Sequence, residues 1–175
     1  MLQIKVASEG DWQPIVDVTL AAYEEYATKM GSRFWAEYVA SIKAVLANTQ
    51  LTRILVYDAE SETYRNGALG AVVYCPPYEL EMGDRVVKNP FPEMRLLAIA
   101  PIARNRGIAA QLIRKCEERA LKEGFSAITL HTTSLMSIAK SMYERRGYTR
   151  YPEIDFSPAE NFCVMGYIKA LEKTA

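Results

Sequence analysis

Histidine occurs once in this chain of 175 residues, at His131, and cysteine three times, at Cys75, Cys116 and Cys163. A single imidazole argues against zincins, three-histidine metal sites and most histidine-dependent hydrolases, and no G-x-S-x-G elbow accompanies it. The cysteines are odd in number, far apart and without C-x-x-C pairing, so neither a disulfide framework nor a zinc site is expected, and no metal ligands are assigned. They read as small buried hydrophobes. No stretch approaches the ~18 apolar residues of a membrane span, and the start, Met1 to Lys5, lacks a basic segment followed by an apolar run. A cytoplasmic protein without a membrane partner is expected. An excess of one charge is missing too: Lys plus Arg and Asp plus Glu each number 21, so no long-range field draws the chain to nucleic acid. Neither G-x-x-x-x-G-K-[ST] nor G-x-G-x-x-G occurs, which speaks against a P-loop or a Rossmann dinucleotide site.

What the chain does have is the run Arg104, Asn105, Arg106, Gly107, Ile108, Ala109, placed between an apolar strand and a long amphipathic stretch. The first N–H groups of a helix have no internal partner, and the macrodipole leaves partial positive charge there, so such a start cradles an anion such as a pyrophosphate. Gly107 has no Cβ to stand between ligand and amide, and Ala109 is the next smallest choice. The helix is also charged against its dipole, with Arg104 and Arg106 in front and Glu117, Glu118 and Glu123 behind. A bound anion removes that conflict; a plain Asn105 cap with solvated arginines is the alternative.

Length and patterning fit a single domain over 1–175. Leu2 to Val6 reads as a strand, Ser8 and Asp11 open a helix with Trp12, Ile15, Val16, Thr19, Tyr23 and Tyr26 inward, and Pro14 falls in its first turn. Ser32 caps a second helix carrying Phe34, Trp35, Tyr38, Val39, Ile42 and Leu46. Leu51–Tyr57 and Ala68–Tyr74 form an antiparallel hairpin around a loop holding Asp58, Ser61, Asn66 and Gly67. From Pro76 to Pro92, with Gly83, Asp84 and Asn89, no period is visible, and a long loop is expected. Met94–Ile99 is a strand, Ile108 to Leu121 the inner face of a helix ended by Gly124, and Ala127–His131 a strand. Thr133 or Ser134 caps a helix ended by Gly147, and Phe162–Leu171 is the last strand. The strand, helix, strand order makes the strands around the cradle helix parallel.

Leu97 to Ala109 resembles the acetyl-CoA signature of the GNAT N-acetyltransferases, whose core is [RQ]-x-x-G-x-[GA]. About thirty residues on, Ala139, Met142, Tyr143, Glu144, Arg145, Gly147 and Tyr148 resemble that family's A-x-x-x-Y-E-x-x-G-[FY] segment, and Ile4 to Ile15 resembles its opening strand and helix. The resemblance implies an α/β (α+β) fold: a mixed, mostly antiparallel sheet of six to seven strands, one parallel pair at the cofactor cleft, and about four flanking helices. It also implies an acetyl-CoA-dependent N-acetyltransferase that acts by direct attack in a ternary complex and releases CoA. A small-molecule amine is the expected acceptor, a protein N-terminus or lysine the second; a non-catalytic acyl-CoA sensor is the reading from another class.

By the same resemblance, Leu97, Ile99, Arg104, Asn105, Arg106, Gly107, Ile108, Ala109, Ser137 and Tyr143 contact the cofactor. The strand ending at Ile99 bulges, pairs with the pantetheine arm, and turns the Ile99 N–H to the thioester oxygen. Ser137 stands where many relatives carry asparagine, and a hydroxyl offers fewer hydrogen bonds than an amide. Tyr143 is the acid that protonates the leaving thiolate; phenols and thiols titrate within about 1.5 units, so the transfer costs only about 2 kcal/mol. Glu93 resembles the base of some relatives, with an ion pair to Arg95 as its structural alternative and His131 or water as other bases. A lysine-like amine spends about 4 to 5 kcal/mol to be neutral at pH 7, and an α-amino group only about 1. Tyr26 and Trp35, in an early aromatic group, are candidates for the acceptor pocket wall. An edge strand or Phe162–Leu171 can pair across a homodimer.

Overall fold

The computed structural model describes residues 1–58, 67–82, 85–159 and 162–172. Ser61, Asn66, Gly83 and Asp84, expected in turns, lie outside the described residues. The chain divides into two compact units, Met1–Tyr74 with Leu96–Lys115, and Cys75–Arg95 with Cys116–Ala175.

In the first unit β1 (Leu2–Val6) runs antiparallel to β2 (Thr52–Asp58), with Ile4 opposite Val56. Strand β2 runs antiparallel to β3 (Gly70–Cys75), and the order continues from β3 to β6 (Glu93–Ile99), of which Leu96 to Ile99 belongs to this unit. Every position of β3 is buried, as its uninterrupted apolar sequence requires of a strand covered on both faces. The Asp11 carboxylate accepts both the N–H and the hydroxyl of Ser8 at 2.8 Å, which starts α1 (Trp12–Tyr23). Ile15, Val16, Val18, Thr19 and Ala22 form its buried face, whereas Trp12, expected inward, lies at the exposed rim of the first turn. One helical turn, α2 (Ala27–Met30), leads to α3 (Ser32–Ala47). The carbonyl of Gly31 accepts the Trp35 N–H at 2.9 Å, so Gly31 holds the cap position expected of Ser32. Burial in α3 concentrates on Ile42 and Leu46.

In the second unit β7 (Ala127–Thr133) runs parallel to β6, with Glu93 opposite Thr129 and Met94 opposite Leu130. Strand β10 (Phe162–Ala170) lies antiparallel along β7 and also pairs with the short strands β8 (Thr149–Arg150) and β9 (Phe156–Ala159). These two short strands carry no period that a sequence reading detects. Of the pairings whose register is described, β6 with β7 is parallel and the rest are antiparallel. Helix α4 (Ile108–Lys122) ends at Gly124, and α5 (Ser137–Arg145) at Gly147.

Two expectations change. The stretch expected as one loop folds as a hairpin, β4 (Tyr78–Met82) with β5 (Arg85–Asn89), Tyr78 facing Asn89 across it. Its apolar positions are few because only Val87 and Asn89 of β5 are buried, which hides a period of two. Cys75 and Cys116 are buried, but Cys163 is exposed, on the outward phase of β10. Close packing also fixes Gly166 in β10: a Cβ there would overlap Ile154 Cγ1 and stand 2.5 Å from the Tyr151 carbonyl oxygen.

Candidate functional site

The start of α4 is pinned at both ends and open between. Ala103 and Ile108 are buried, while Arg104, Asn105, Arg106 and Gly107 are exposed. Asn105 and Gly107 adopt φ of 62° and 74°, and Arg106 between them does not share that handedness. Alternation of this kind turns successive N–H groups to one side and makes a concavity for an anion. The Gln111 N–H donates to the Gly107 carbonyl at 3.2 Å, which puts Gly107 at the front of the helical ladder. A Cβ on Gly107 would meet no atom within 4 Å; its positive φ, not crowding, selects glycine, and the space above it is open. These residues fit a diphosphate. Arg104 is committed elsewhere: its guanidinium donates to Glu25 Oε1 at 2.9 Å and to the Ala22 carbonyl at 3.3 Å, tying the turn to the end of α1. That pairing relieves part of the conflict between the front arginines and the helix dipole.

Strand β6 carries the other backbone irregularity. Leu96 has φ 50°, far from the roughly −120° of regular strands, so the strand breaks step just after Arg95. A bulky side chain in this region is strained, and such positions mark bulges and functional sites. Beyond it Leu97 and Ile99 are half-buried and Ala98 is buried.

In the second unit Ser137 is the exposed first residue of α5, and Tyr143 is buried with its ring edge-on to Tyr148 at 5.8 Å. At the carboxyl end of β7, immediately before this helix, Thr132 and Thr133 are buried, and their hydroxyls have no hydrogen-bond partner among the described residues. Buried polar groups are almost always paired, so two adjacent orphans at the carboxyl end of a parallel strand suit a bound ligand. Sequence reading missed both; threonines ending a strand look like ordinary β-formers.

Glu93 is fully buried and is ion-paired with Arg95, as the structural alternative expects. Its carboxylate accepts from the Tyr78 hydroxyl at 2.7 Å, from Asn89 Nδ2 at 3.3 Å and from Arg95 Nε, and lies 3.2 Å from His131 Nδ1. Asn89 Nδ2 also donates to Thr129 Oγ1 at 2.7 Å, and His131 Nε2 meets the Ile154 carbonyl at 2.8 Å. Both imidazole nitrogens therefore face acceptors, which is the arrangement of a doubly protonated ring. Burial alone would raise the Glu93 carboxyl, but the hydrogen bond and charge of His131 and the charge of Arg95 outweigh it and bring it down to about 2. Burial likewise works against a charged His131, and Glu93 more than offsets it, so its pKa is raised. A carboxylate held near 2 is a weak base: taking the proton of a ~10.4 ammonium is uphill by about 11 kcal/mol, against about 8 for an ordinary glutamate.

The aromatic residues of the first unit form a chain. Tyr26 and Tyr23 have centroids 6.0 Å apart, Tyr23 and Tyr38 6.1 Å, and Tyr38 and Trp35 6.1 Å. Tyr26 and Trp35 are thus joined through two tyrosines, and Glu25 links this end of the chain to Arg104. Burial pushes the Tyr38 phenol up to about 12, which keeps it a hydrogen-bonding neutral group. A cavity of about 260 Å³ lies elsewhere in this unit, against Trp12, Ile15, Ala47 and Arg53, and contains none of the expected site residues. No helix among the described residues is long and apolar enough to cross a membrane, and no group of three or more potential ligands among them is placed to hold a metal ion.

The sequence model of the acetyltransferase (GNAT) family matches residues 19–148. No curated protein matches the chain. Solved structures do: a PaiA N-acetyltransferase from Thermoplasma acidophilum in complex with coenzyme A is 13% identical, with a TM-score of 0.68 over 97% of this chain and 99% of that one. A protein described as histone acetyltransferase HPA2 and related acetyltransferase, from Corynebacterium glutamicum, is 18% identical with a TM-score of 0.69, covering 99% of this chain and 98% of its own. A GNAT family acetyltransferase from Brucella melitensis in complex with acetyl-CoA is 18% identical with a TM-score of 0.61, covering 100% of this chain and 91% of its own.

Proposed function

The chain belongs to the acetyltransferase (GNAT) family, and from that premise we propose that residues 1–175 act as one domain transferring an acetyl group from acetyl-CoA to a primary amine of a small molecule, by direct attack in a ternary complex. The observation that carries this reading is the open turn before α4, where Asn105 and Gly107 take positive φ and the space over Gly107 is free. Acetyl-CoA, when bound, supplies the activated acyl group.

The chain's own residues do the rest. Main-chain N–H groups from Asn105 to Ala109 hold the diphosphate, with Arg106 adding charge and Arg104 fixing the turn through Glu25. The backbone of Leu97 and Ile99, beyond the break at Leu96, binds the amide arm of the ligand, and the Ile99 N–H polarises the acyl oxygen. Ser137 and the unpaired hydroxyls of Thr132 and Thr133 supply further hydrogen bonds. Tyr143 gives its phenolic proton to the leaving sulfur. Glu93 belongs to the catalytic centre as a fixed negative charge that holds His131 and Arg95, and water takes the amine's proton. Tyr26 and Trp35 line the acceptor side. Thiol release from acetyl-CoA across a panel of amines tests the proposal; a chain that binds CoA but turns over no amine would be a sensor instead.

A further inference from the structure

Arg95 is the most exposed of the charged members of the cluster. Its side chain is 31% exposed, against 11% for His131 and 0% for Glu93. The charges around it do not balance. Glu93 is one carboxylate between two cations, since His131 has an acceptor at each ring nitrogen and Arg95 is always protonated. The next charged groups, Asp155 and Arg150, satisfy each other through two contacts of 3.0 and 2.6 Å and add nothing to the sum. One positive charge is left over, and the solvent-facing guanidinium is where it is accessible.

The guanidinium is also pre-organised. Arg95 engages Glu93 through Nε, and its Cζ lies over the Tyr78 ring at 4.9 Å from the centroid. Tyr78 is held in turn by its hydroxyl on Glu93. The Tyr78 side chain is also hydrogen-bonded to Arg95, so the guanidinium that pairs with a carboxylate is positioned with little side-chain entropy left to lose. Glu93 itself is sealed from solvent and presents no carboxylate edge to repel an anion.

Building on the acetyl-transfer reading, we propose that Arg95 is a specificity-determining residue that binds a carboxylate of the acceptor, so that the substrate is an amine carrying a carboxylate, of the amino-acid class. A bidentate charge-assisted contact of this kind favours the carboxylate by roughly tenfold to a hundredfold over the same molecule without it.

The test uses the full chain saturated with CoA and two product analogues that differ only in the carboxylate, N-acetylphenylalanine and N-acetylphenethylamine, titrated by calorimetry. The expected result is at least tenfold tighter binding of the carboxylate form, and loss of that preference in Arg95→Gln with CoA affinity retained. Equal binding of the two analogues to the wild-type chain, or binding of neither, overturns the proposal without need of a variant. Thiol release with phenylalanine and phenethylamine as acceptors, run in parallel, separates the two readings. Turnover without carboxylate preference defeats the assignment of Arg95 alone, whereas carboxylate-selective binding without any turnover defeats acetyl transfer and leaves the anion site standing.

Discussion

His131 Nδ1 stands 3.2 Å from Glu93 Oε1 while its Nε2 faces the carbonyl of Ile154, so the one histidine of the chain spans a buried carboxylate and a backbone acceptor. Each partner stabilises the charge of the other. Glu93, lowered from the ordinary 4.5 to about 2, contributes stability that is present above pH 4.5 and lost as pH falls toward 2. His131, raised above 6.5, contributes stability that is complete below pH 6.5 and lost as pH rises through its folded value. The thermal unfolding midpoint, followed against pH, is expected to carry a plateau between 4.5 and 6.5 from this pair and to fall on the alkaline side; His131→Gln removes the alkaline fall.

Removing Glu93 strands His131 and Arg95 without their carboxylate, whereas removing His131 leaves Glu93 with Arg95. Glu93→Gln is expected to destabilise by about 3 to 5 kcal/mol in urea unfolding, and the double change Glu93→Gln with His131→Gln to cost less than the sum of the singles by about 1 to 3 kcal/mol. Additive losses would show that the two do not act as a unit.

At the α4 start, Gly107→Glu puts a carboxylate and a strained φ where the diphosphate is proposed to lie. Stability should fall by only about 1 to 2 kcal/mol, because a Cβ there meets nothing within 4 Å, but CoA affinity should fall at least about 100-fold in calorimetry. A Gly107→Glu variant that keeps its CoA affinity removes the cradle.

Tyr143→Phe keeps the ring against Tyr148 and deletes the hydroxyl. CoA affinity is expected to hold while kcat drops about 100-fold. An equal loss of binding would assign Tyr143 to cofactor contact alone.

Gly166→Ala tests packing without touching the proposed chemistry. Its Cβ would collide with Ile154 Cγ1 and with the Tyr151 carbonyl oxygen at 2.5 Å, and the backbone atom has no rotamer to escape into. A loss of about 3 kcal/mol or more, or failure to accumulate as folded protein, is expected by circular dichroism and denaturation.

Local signals carry much of this structure. Gly107, Gly124 and Gly147 all sit at positive φ beside the helices they bound, and the strand–helix–strand order around α4 yields the parallel pair β6 and β7. The long apolar run of β3 likewise declares a strand buried on both sides. What stays hidden is relational. Tyr78, Asn89, Glu93, Thr129 and His131 meet only because the β4–β5 hairpin returns Asn89 toward the start of β6 and because Thr129 falls opposite Glu93, and pairing register leaves no mark on composition. The orphan hydroxyls of Thr132 and Thr133 are invisible for the same reason, since burial of a polar atom depends on its neighbours. The hairpin itself is concealed by its exposed face, where Glu79, Glu81 and Lys88 look like loop residues.

Leu96 has one more consequence. An ordinary side chain at φ 50° holds about 1 to 2 kcal/mol of conformational energy that a glycine at the same place would not. Leu96→Gly would relieve that strain, but it gives up a half-buried side chain, loosens the unfolded chain and lets the backbone sample regular strand geometry. A leucine kept in an uncomfortable pose narrows the backbone to one shape before any ligand arrives.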